Sequence, residues 1–590
     1  MLDPRLYRAA LIPVLLAVIV CAFSLEDRPR PIGTTLAPDA FTGPRAAKEL
    51  DAMAAAFPSR RPGDASDEAL ARRIAAELRG MGSYQVSMNT FGGETIDGDR
   101  TLTTVVARQV GAPAPGLVVV AHRDAAGRGA KAELSGTAAM LELARVVAAG
   151  RLRRTITFIS TSGGSGGAAG AADAVRRLRG PTDAVLVLGD VAGDDVRRPF
   201  VVGWSDAEGH APLRLERTVE GAVRTETGAD PGGPRAITQW ARLAFPATTG
   251  EQGPFVAAGL PAVLLSVSGE RPPGASTPVS PRRLQVMGRA ALRTLVALDN
   301  GPDLRDGTER SLVSLRKVVP AWAIRLLVGA LLLPPLLVTV DGFARARRRR
   351  APVGRSLRWL AAAALPFLGA FVFAWLLGAV GLIAAAPGAP APAGAIPFDG
   401  AGKAALAAVA LAFVLGWVVG RPAAARALGV DGRQEGPGAG AALLVVVCGL
   451  AVVLWIANPY AAALLVPATH LWLLVVAPEL RLRRTLALAA VALALVPFAI
   501  VDLIFMNQLG AGPLEFAWWL LLVVAGGQAG PWSWLAWSAF GACVALAALL
   551  AWRARAVGED GLAAERVTVR GPAGYAGPGS LGGTESALRR

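Results

Sequence analysis

Hydrophobic positions fall into three regimes along the chain. From Ala9 to Leu25 the residues are almost continuously apolar, with Arg5 and Arg8 before the run and Glu26 and Asp27 after it. A run of that length just suffices to cross a bilayer as a helix. From Glu26 to about Arg316 short β-rich segments alternate with stretches of helical periodicity. The segments Gly116 to Val120, Thr155 to Ser160, Ala184 to Leu188 and Ala262 to Val267 read as strands. Strands separated by helices predict a doubly wound α/β sheet. Beyond Arg316 apolar runs dominate again, near 319–340, 359–385, 404–420, 440–457, 461–477, 485–505, 514–528 and 532–552. The pattern therefore divides the chain into an anchor (1–25), an α/β domain (26–316) opening on a Pro-rich linker, an all-α polytopic region (317–556, with seven or eight spans) and a Gly-rich, charged tail (557–590) expected to be disordered.

Composition supports the membrane reading, since 53% of the 590 residues are AVILMFWYC and the mean hydropathy is +0.45, more apolar than soluble domains are. Lys+Arg exceeds Asp+Glu by 60 to 44, but much of the excess lies in clusters beside apolar runs. That is a positive-inside pattern and not a nucleic-acid footprint. The loops carrying Arg345 to Arg358, Arg421 to Arg433 and Arg481 to Arg484 are expected in the cytoplasm with the N-terminus. Residues 26–316 are then extracytoplasmic and the protein a multi-pass plasma-membrane protein. If 514–528 and 532–552 both span, the C-terminus lies outside, whereas Arg553 and Arg555 favour the inside. Ala22-Phe23-Ser24 resembles a signal-peptidase site, yet the length of the run favours an uncleaved anchor. Only four of the cations are lysine, a bias that fits a GC-rich bacterial genome. The three cysteines, Cys21, Cys448 and Cys543, sit in apolar runs, which excludes a disulfide scaffold and a cysteine-ligated zinc site elsewhere.

Five fragments of the middle region carry a family resemblance: PSRRPGDASDEALARRIAAELRGMGSYQV (58–86), VVVAHRDAAGRGAKAELSGTAAMLELARVV (118–147), RTITFISTSGGSGGAAGA (154–171), VLVLGDVAG (185–193) and EQGPFVAAGLPAVLLS (251–266). In this order they resemble the M28 family of di-zinc aminopeptidases over roughly residues 53–298. The resemblance implies a phosphorylase/hydrolase-type α/β fold with ligands at the C-terminal strand ends. It further implies a bridging carboxylate, His and carboxylate ligands on each zinc, and a Glu as general base. Carried over by position, His122 matches a first metal ligand, Asp124 the carboxylate that orients it, and Asp190 a further ligand. The bridging Asp falls on Ala132, the Glu-Glu pair on Gly164 (the general-base position) and Ser165, and the last His on Gln252. A one-residue slip that brought Glu133 to the bridging position would need a bulge beside a helix start.

The chain has three histidines, His122, His210 and His470, so lost ligands have few replacements. His210 lies in a polar stretch and reads as an ordinary surface residue. His470 is mid-span, either a buried hydrogen-bonded histidine or a group with a proton or substrate role. Gly164 to Ala169 also fits G-x-G-x-x-A between a strand and a helix, with Asp190 following at about the fingerprint distance. That reading competes with a plain tight turn filled by small residues.

The resulting expectation is a membrane-embedded M28-like pseudopeptidase serving recognition or scaffolding. Its plan resembles the membrane-bound M28 peptidases of the endoplasmic reticulum and vacuole and the M28-like subunit of the GPI transamidase. The alternatives are a membrane-bound zinc metallo-aminopeptidase with unusual ligands and a transporter with an extracytoplasmic domain. No cofactor is expected, zinc entering only under the peptidase alternative. The expected partners are the lipid bilayer and other membrane or exported proteins or peptides, with no nucleic acid. Without zinc, Asp124 and Asp190 need a counter-ion; Lys131, beside the lost bridging position, is the first candidate, with Arg123 and Arg128 in the same loop.

Overall fold

The computed structural model describes residues 4–553, apart from 151–152, 196–197, 233–234, 305–306, 315, 384–386, 431–436, 478–479 and 481. The tail at 557–590, with Arg433, Arg481 and Arg555, lies outside the described residues. Among the described residues ten strands occur: β1 (Glu26–Asp27), β2 (Gln85–Thr95), β3 (Gly98–Gln109), β4 (Ala112–His122), β5 (Arg154–Thr161), β6 (Thr182–Leu188), β7 (Phe200–Val202), β8 (Ala262–Ser266), β9 (Leu312–Ser314) and β10 (Lys317–Val319). Seven of them form one sheet in the order β2-β3-β5-β4-β6-β8-β7, and β1, β10 and β9 form a small second sheet.

The four segments anticipated from the apolar runs are the four mutually parallel central strands, β5, β4, β6 and β8. Helices cover both faces, so these strands tolerate unbroken runs of Val, Leu and Ile. Leu70, Ile74, Leu141, Leu215, Leu284 and Leu295 pack on one face, and Ala171, Ala174, Phe255 and Val256 on the other. The sheet is mixed, however, and not purely parallel: the β2–β3 hairpin joins β5 antiparallel, and β7 joins β8 antiparallel at the other edge. β2 alternates exposed and half-buried positions, as an edge strand with a solvated face does, and so lacks the continuous apolar signal.

Among the described residues seven helices are long and apolar enough to cross a membrane: Arg5–Phe23, Ala321–Arg348, Val353–Ala379, Gly400–Ala427, Gly438–Ala457, Pro459–Val476 and Pro531–Arg553. The pair Arg484–Leu493 and Val496–Leu509, bent by 41°, makes an eighth if it is one span. The run near 514–528 forms only the 13-residue helix Pro513–Ala525, about 20 Å long against a hydrocarbon core of about 30 Å. It instead supports the loop after Val353–Ala379: Trp519 Nε1 donates to the Ala391 carbonyl at 2.9 Å and Gln528 Nε2 to that of Pro387 at 2.8 Å.

The first helix is built into the bundle. Tyr7 Oη donates to His470 Nδ1 at 2.7 Å, and His470 Nε2 meets the Leu331 carbonyl at 2.8 Å. A carbonyl only accepts, so Nε2 carries the proton and Nδ1 accepts from the tyrosine. Both ring nitrogens are thus used in tying Arg5–Phe23 and Pro459–Val476 to Ala321–Arg348, which is the hydrogen-bonded reading of His470. Cys21 Sγ adds a contact to the Ala323 carbonyl at 3.0 Å.

Candidate functional site

The C-terminal ends of the parallel strands surround a cavity of about 60 Å³, where an open α/β sheet places its crevice. His122 is the last residue of β4, Gly164 and Ser165 lie in the turn after β5, and Asp190 is two residues past β6. Glu251 immediately precedes the helix Gln252–Ala257 that leads to β8, and Glu133 sits in the 3-10 turn Ala132–Leu134 ahead of the helix Ser135–Ala149. His122, Glu133, Gly164, Ser165, Asp190 and Glu251 all line the cavity.

Asp124 is buried and fully engaged. It accepts from the Gly164 and Ser165 amides at 3.0 and 2.9 Å and from Ser165 Oγ at 2.5 Å, and lies 3.6 Å from His122 Nδ1. His122 Nδ1 also meets the Asp124 carbonyl at 3.1 Å. Burial opposes charge on both groups, but their mutual attraction prevails, holding the imidazole up at about 10 and, with the Ser165 hydrogen bonds, the carboxyl down at about 2. The Gly164 and Ser165 amides, which a dinucleotide fingerprint would aim at a pyrophosphate, are therefore spent on a carboxylate. The loop is a tight turn, with Gly163, Gly167 and Ala168 at positive φ.

Asp190 folds back onto its own turn, accepting from the Ala192 and Gly193 amides at 3.0 and 2.7 Å and from Ser135 Oγ at 3.2 Å. Amides thus do the work assigned to a counter-ion, which corrects the expectation for Lys131. Its ammonium pairs with Asp51 at the surface. Arg123 points the other way, pairing with Asp67 at 2.8 Å, and Arg128 is exposed. Arg60, buried and held by the carbonyls of Phe57, Arg123 and Ala130, acts electrostatically on Glu133 and Asp124, and Arg283 acts on Asp190. His210 is also not a surface residue; it is 9% exposed with its ring nitrogens 2.7 and 2.9 Å from the Ala211 and Ser311 carbonyls.

Two carboxylates reach the cavity from outside the matched ligand positions. Glu133, buried, has an Oε2 with no partner, and burial pushes its carboxyl up to about 7. Glu251 accepts from Thr161 Oγ1 at 2.6 Å through one oxygen, leaves the other unpartnered, and is pushed by burial to about 6. The 3-10 turn supplies the irregularity needed to turn Glu133 inward. The resemblance pointed to Gln252 in this loop, one residue after Glu251. Gln252 in fact turns into the loop, where its Nε2 donates to Thr248 Oγ1 and the Trp204 carbonyl at 2.8 and 3.2 Å.

Among the described residues no three His, Cys, Asp or Glu side chains converge as a metal would require. Ala132 offers no donor. Gly164 has no room for one: a Cβ there would lie 2.4 Å from His122 Cβ and 3.0 Å from the Glu251 carboxyl carbon.

Residues 104–239 match the sequence profile of peptidase family M28. Over that stretch the α/β half is similar to the M28 family. Among solved structures it is similar to a zinc aminopeptidase from Bacillus subtilis (13% identity over 46% of this chain and 98% of that one, TM-score 0.36). It is also similar to LapB from Legionella pneumophila (14%, 47% and 79%, TM-score 0.38) and to the glutaminyl cyclase of Porphyromonas gingivalis (18%, 44% and 99%, TM-score 0.34). None of the curated proteins matches the sequence.

The membrane half completes the mouth of the M28-like domain's cavity. Pro392, from the loop before Gly400–Leu415, lines it together with Ser268 to Pro273. The latter loop is held by Arg271, which donates to the Asn507 carbonyl at 2.6 Å, and by Glu270, which pairs with Arg242 at 2.7 Å. Behind it Asp206 accepts from the Thr248 amide at 2.9 Å. Burial raises its carboxyl to about 7, Glu270 adding to the rise and Arg242 opposing it.

A folded value above the ordinary 3.8 means that stability falls as pH rises from about 4 to about 7, the unfolded chain losing the proton first. Asp206→Asn keeps an acceptor for Thr248 without the charge. It should stabilise the protein by roughly 2–4 kcal/mol at pH 8 and by distinctly less at pH 5. Thermal unfolding in detergent at the two pH values checks this, and equal shifts at both would refute it.

Proposed function

We propose that the chain is a multi-pass membrane protein whose M28-like domain lies outside the cytoplasm and acts in recognition or scaffolding, without di-zinc peptidase chemistry. The observation that carries this reading is the interior of the site. The position that matches the general base is a glycine pressed against His122, and the space above it is taken by Glu251. His122 and Asp124 neutralise one another, and backbone amides satisfy Asp190. A site so arranged is electrostatically complete around its remaining family residues, with no unused His–carboxylate set for two metals.

The arginine clusters between apolar helices support a cytoplasmic N-terminus and an extracytoplasmic 26–316 region. A count of eight spans, with Pro513–Ala525 not crossing, favours a cytoplasmic side for the end of the last apolar helix, in keeping with Arg553 there. The site opens toward a loop of the membrane half, so a ligand there meets both halves at once. That suits a platform for other membrane or exported proteins or peptides.

The peptidase alternative has one observation in its favour, the unpartnered oxygens of Glu133 and Glu251 beside His122. Metal analysis of the detergent-purified full-length protein, with aminoacyl-anilide hydrolysis measured before and after chelation, separates the two. The proposed reading expects far less than one zinc per chain and no chelator-sensitive turnover. About two zincs per chain with chelator-sensitive hydrolysis defeats it, and about one zinc lost in His122→Ala transfers the case to a peptidase with substituted ligands.

A further inference from the structure

A second cavity, of about 300 Å³, lies away from the strand ends and is lined by Arg28 and Pro29 of the linker, Glu216, Arg217, Glu220 and Arg224 of one helix, and residues of two neighbouring segments. Its position follows from the chain path. Arg28 comes directly after β1, which pairs with β10, and β10 runs into the helix starting at Ala321. Val313 of β9, the third strand of the same small sheet, also lines the cavity. Arg28 is thus five residues past the end of the first apolar helix, no more than about 18 Å along an extended chain. At that helix end Phe23 is 88% exposed, and Trp322 at the start of the next apolar helix is 54% exposed. Exposed aromatic residues at helix ends mark the interface of a bilayer.

The charges lining the cavity are incompletely matched. The Nε atoms of Arg28 and Arg217 are both buried and have no hydrogen-bond partner. The two guanidinium groups also repel one another, Arg217 lowering the pKa of Arg28 beyond the effect of burial. Arg217 is paired with Glu220 at 3.0 Å through its Nη1, and Arg224 pairs with Asp230 at the rim. Glu216 lacks a cationic partner: among the described residues no donor hydrogen-bonds to its side chain, the His210 Nδ1 atom is 3.7 Å away, and burial with the neighbouring Glu220 and Glu309 raises its carboxyl well above the ordinary range. Unmatched buried donors are costly and an anionic group satisfies them, while a cationic group on the same ligand favours the ionised form of the Glu216 carboxyl.

We infer that this cavity binds the zwitterionic headgroup of an ethanolamine-type phospholipid, the phosphate meeting Arg28 and Arg217 and the ammonium meeting Glu216. The volume suits a headgroup, and guanidinium forks match phosphate oxygens. A trimethylated choline headgroup carries no N–H for the Glu216 carboxylate, so it binds more weakly. The inference uses the membrane placement of the first two apolar helices but not the absence of zinc chemistry, so the two stand or fall separately.

The test is native mass spectrometry of the full-length protein in detergent, titrated with short-chain phosphatidylethanolamine, phosphatidylcholine and phosphatidylglycerol and with free phosphoethanolamine. A saturable single adduct is expected, strongest with phosphatidylethanolamine and displaced by excess phosphoethanolamine. Arg28→Ala and Arg217→Ala should each weaken it at least about tenfold, the loss of a charge-assisted hydrogen bond. Glu216→Gln should retain binding but remove the preference for ethanolamine over choline. Arg28 lies in the linker, so its variant keeps the fold, and unchanged thermal unfolding confirms that. Equal adducts for native protein and both arginine variants overturn the site. Phosphoethanolamine binding as tightly as the lipid overturns the lipid as its source.

Discussion

Arg242→Met is expected to destabilise the protein by roughly 3–5 kcal/mol, the cost of leaving one member of a buried ion pair without its partner. Arg242 and Glu270 are each 3% exposed by side chain and lie 2.7 Å apart. The guanidinium is packed between the rings of Trp204 and Phe505, 5.0 and 4.7 Å from their centroids, and its Nε donates to Gln508 Oε1 at 2.7 Å. Phe505 and Gln508 belong to the apolar helix Val496–Leu509, whereas Glu270 belongs to the loop over the strand-end cavity. One side chain therefore joins the M28-like domain to the membrane half at the site's own roof. Trp204 Nε1 and Thr249 N also donate to Glu270, at 2.6 and 3.2 Å, but neither brings a charge.

The double variant Arg242→Met, Glu270→Gln removes the stranded charge and should recover part of the loss. Thermal unfolding in detergent and limited proteolysis of the 268–273 loop read both effects. If the single variant unfolds within about 1 kcal/mol of the native protein, Arg242 is not the clamp described here.

How much of this was legible in the sequence depended on whether a residue's task showed in its neighbours along the chain. The four central strands showed because burial on both faces demands unbroken apolar runs. The β2–β3 hairpin did not, because its edge position imposes only a weak alternation. The membrane runs were visible by length, but the run at 514–528 proved to be a short helix bracing a loop, since its breaks at Gly512 and Gly526 outweigh its hydropathy. In the site, His122, Asp124, Asp190 and Gly164 were placed by short motifs attached to strand ends and do come together. Glu133 and Glu251 were harder to find. One sits in a 3-10 turn ahead of a helix start, and the other depends on which of two adjacent residues turns inward. Lys131 was judged from proximity in sequence, but Asp190 found closer donors in the amides of its own turn, leaving the lysine to the surface.

Gly164 gives the sharpest test of whether the family's chemistry can be recovered by restoring a residue. Gly164→Glu is expected to abolish, and not to create, an ordered site. The limit is set by the β-carbon and not by the carboxylate: any side chain places it 2.4 Å from His122 Cβ, 2.5 Å from His122 Cγ and 3.0 Å from the Glu251 carboxyl carbon. Real β-carbons do not approach side-chain carbons so closely, and His122 is held in place by Asp124 and cannot swing aside cheaply. Overpacking of this kind costs about 1–3 kcal/mol or more even for a methyl group, so Gly164→Ala alone should lower the unfolding temperature measurably.

Gly164→Glu should lower it further, since burying a second carboxylate beside Glu251 adds like-charge repulsion. Removing the competitor separates the causes: Gly164→Ala with Glu251→Ala should recover only part of the loss, because the His122 contact remains. Thermal unfolding of the three variants, with zinc content and aminoacyl-anilide hydrolysis on each, decides the matter. Native-like stability in Gly164→Ala would show that the turn has room to spare. Zinc uptake with turnover in Gly164→Glu would show that the glycine, and not the rearrangement around it, was all that stood between this site and catalysis.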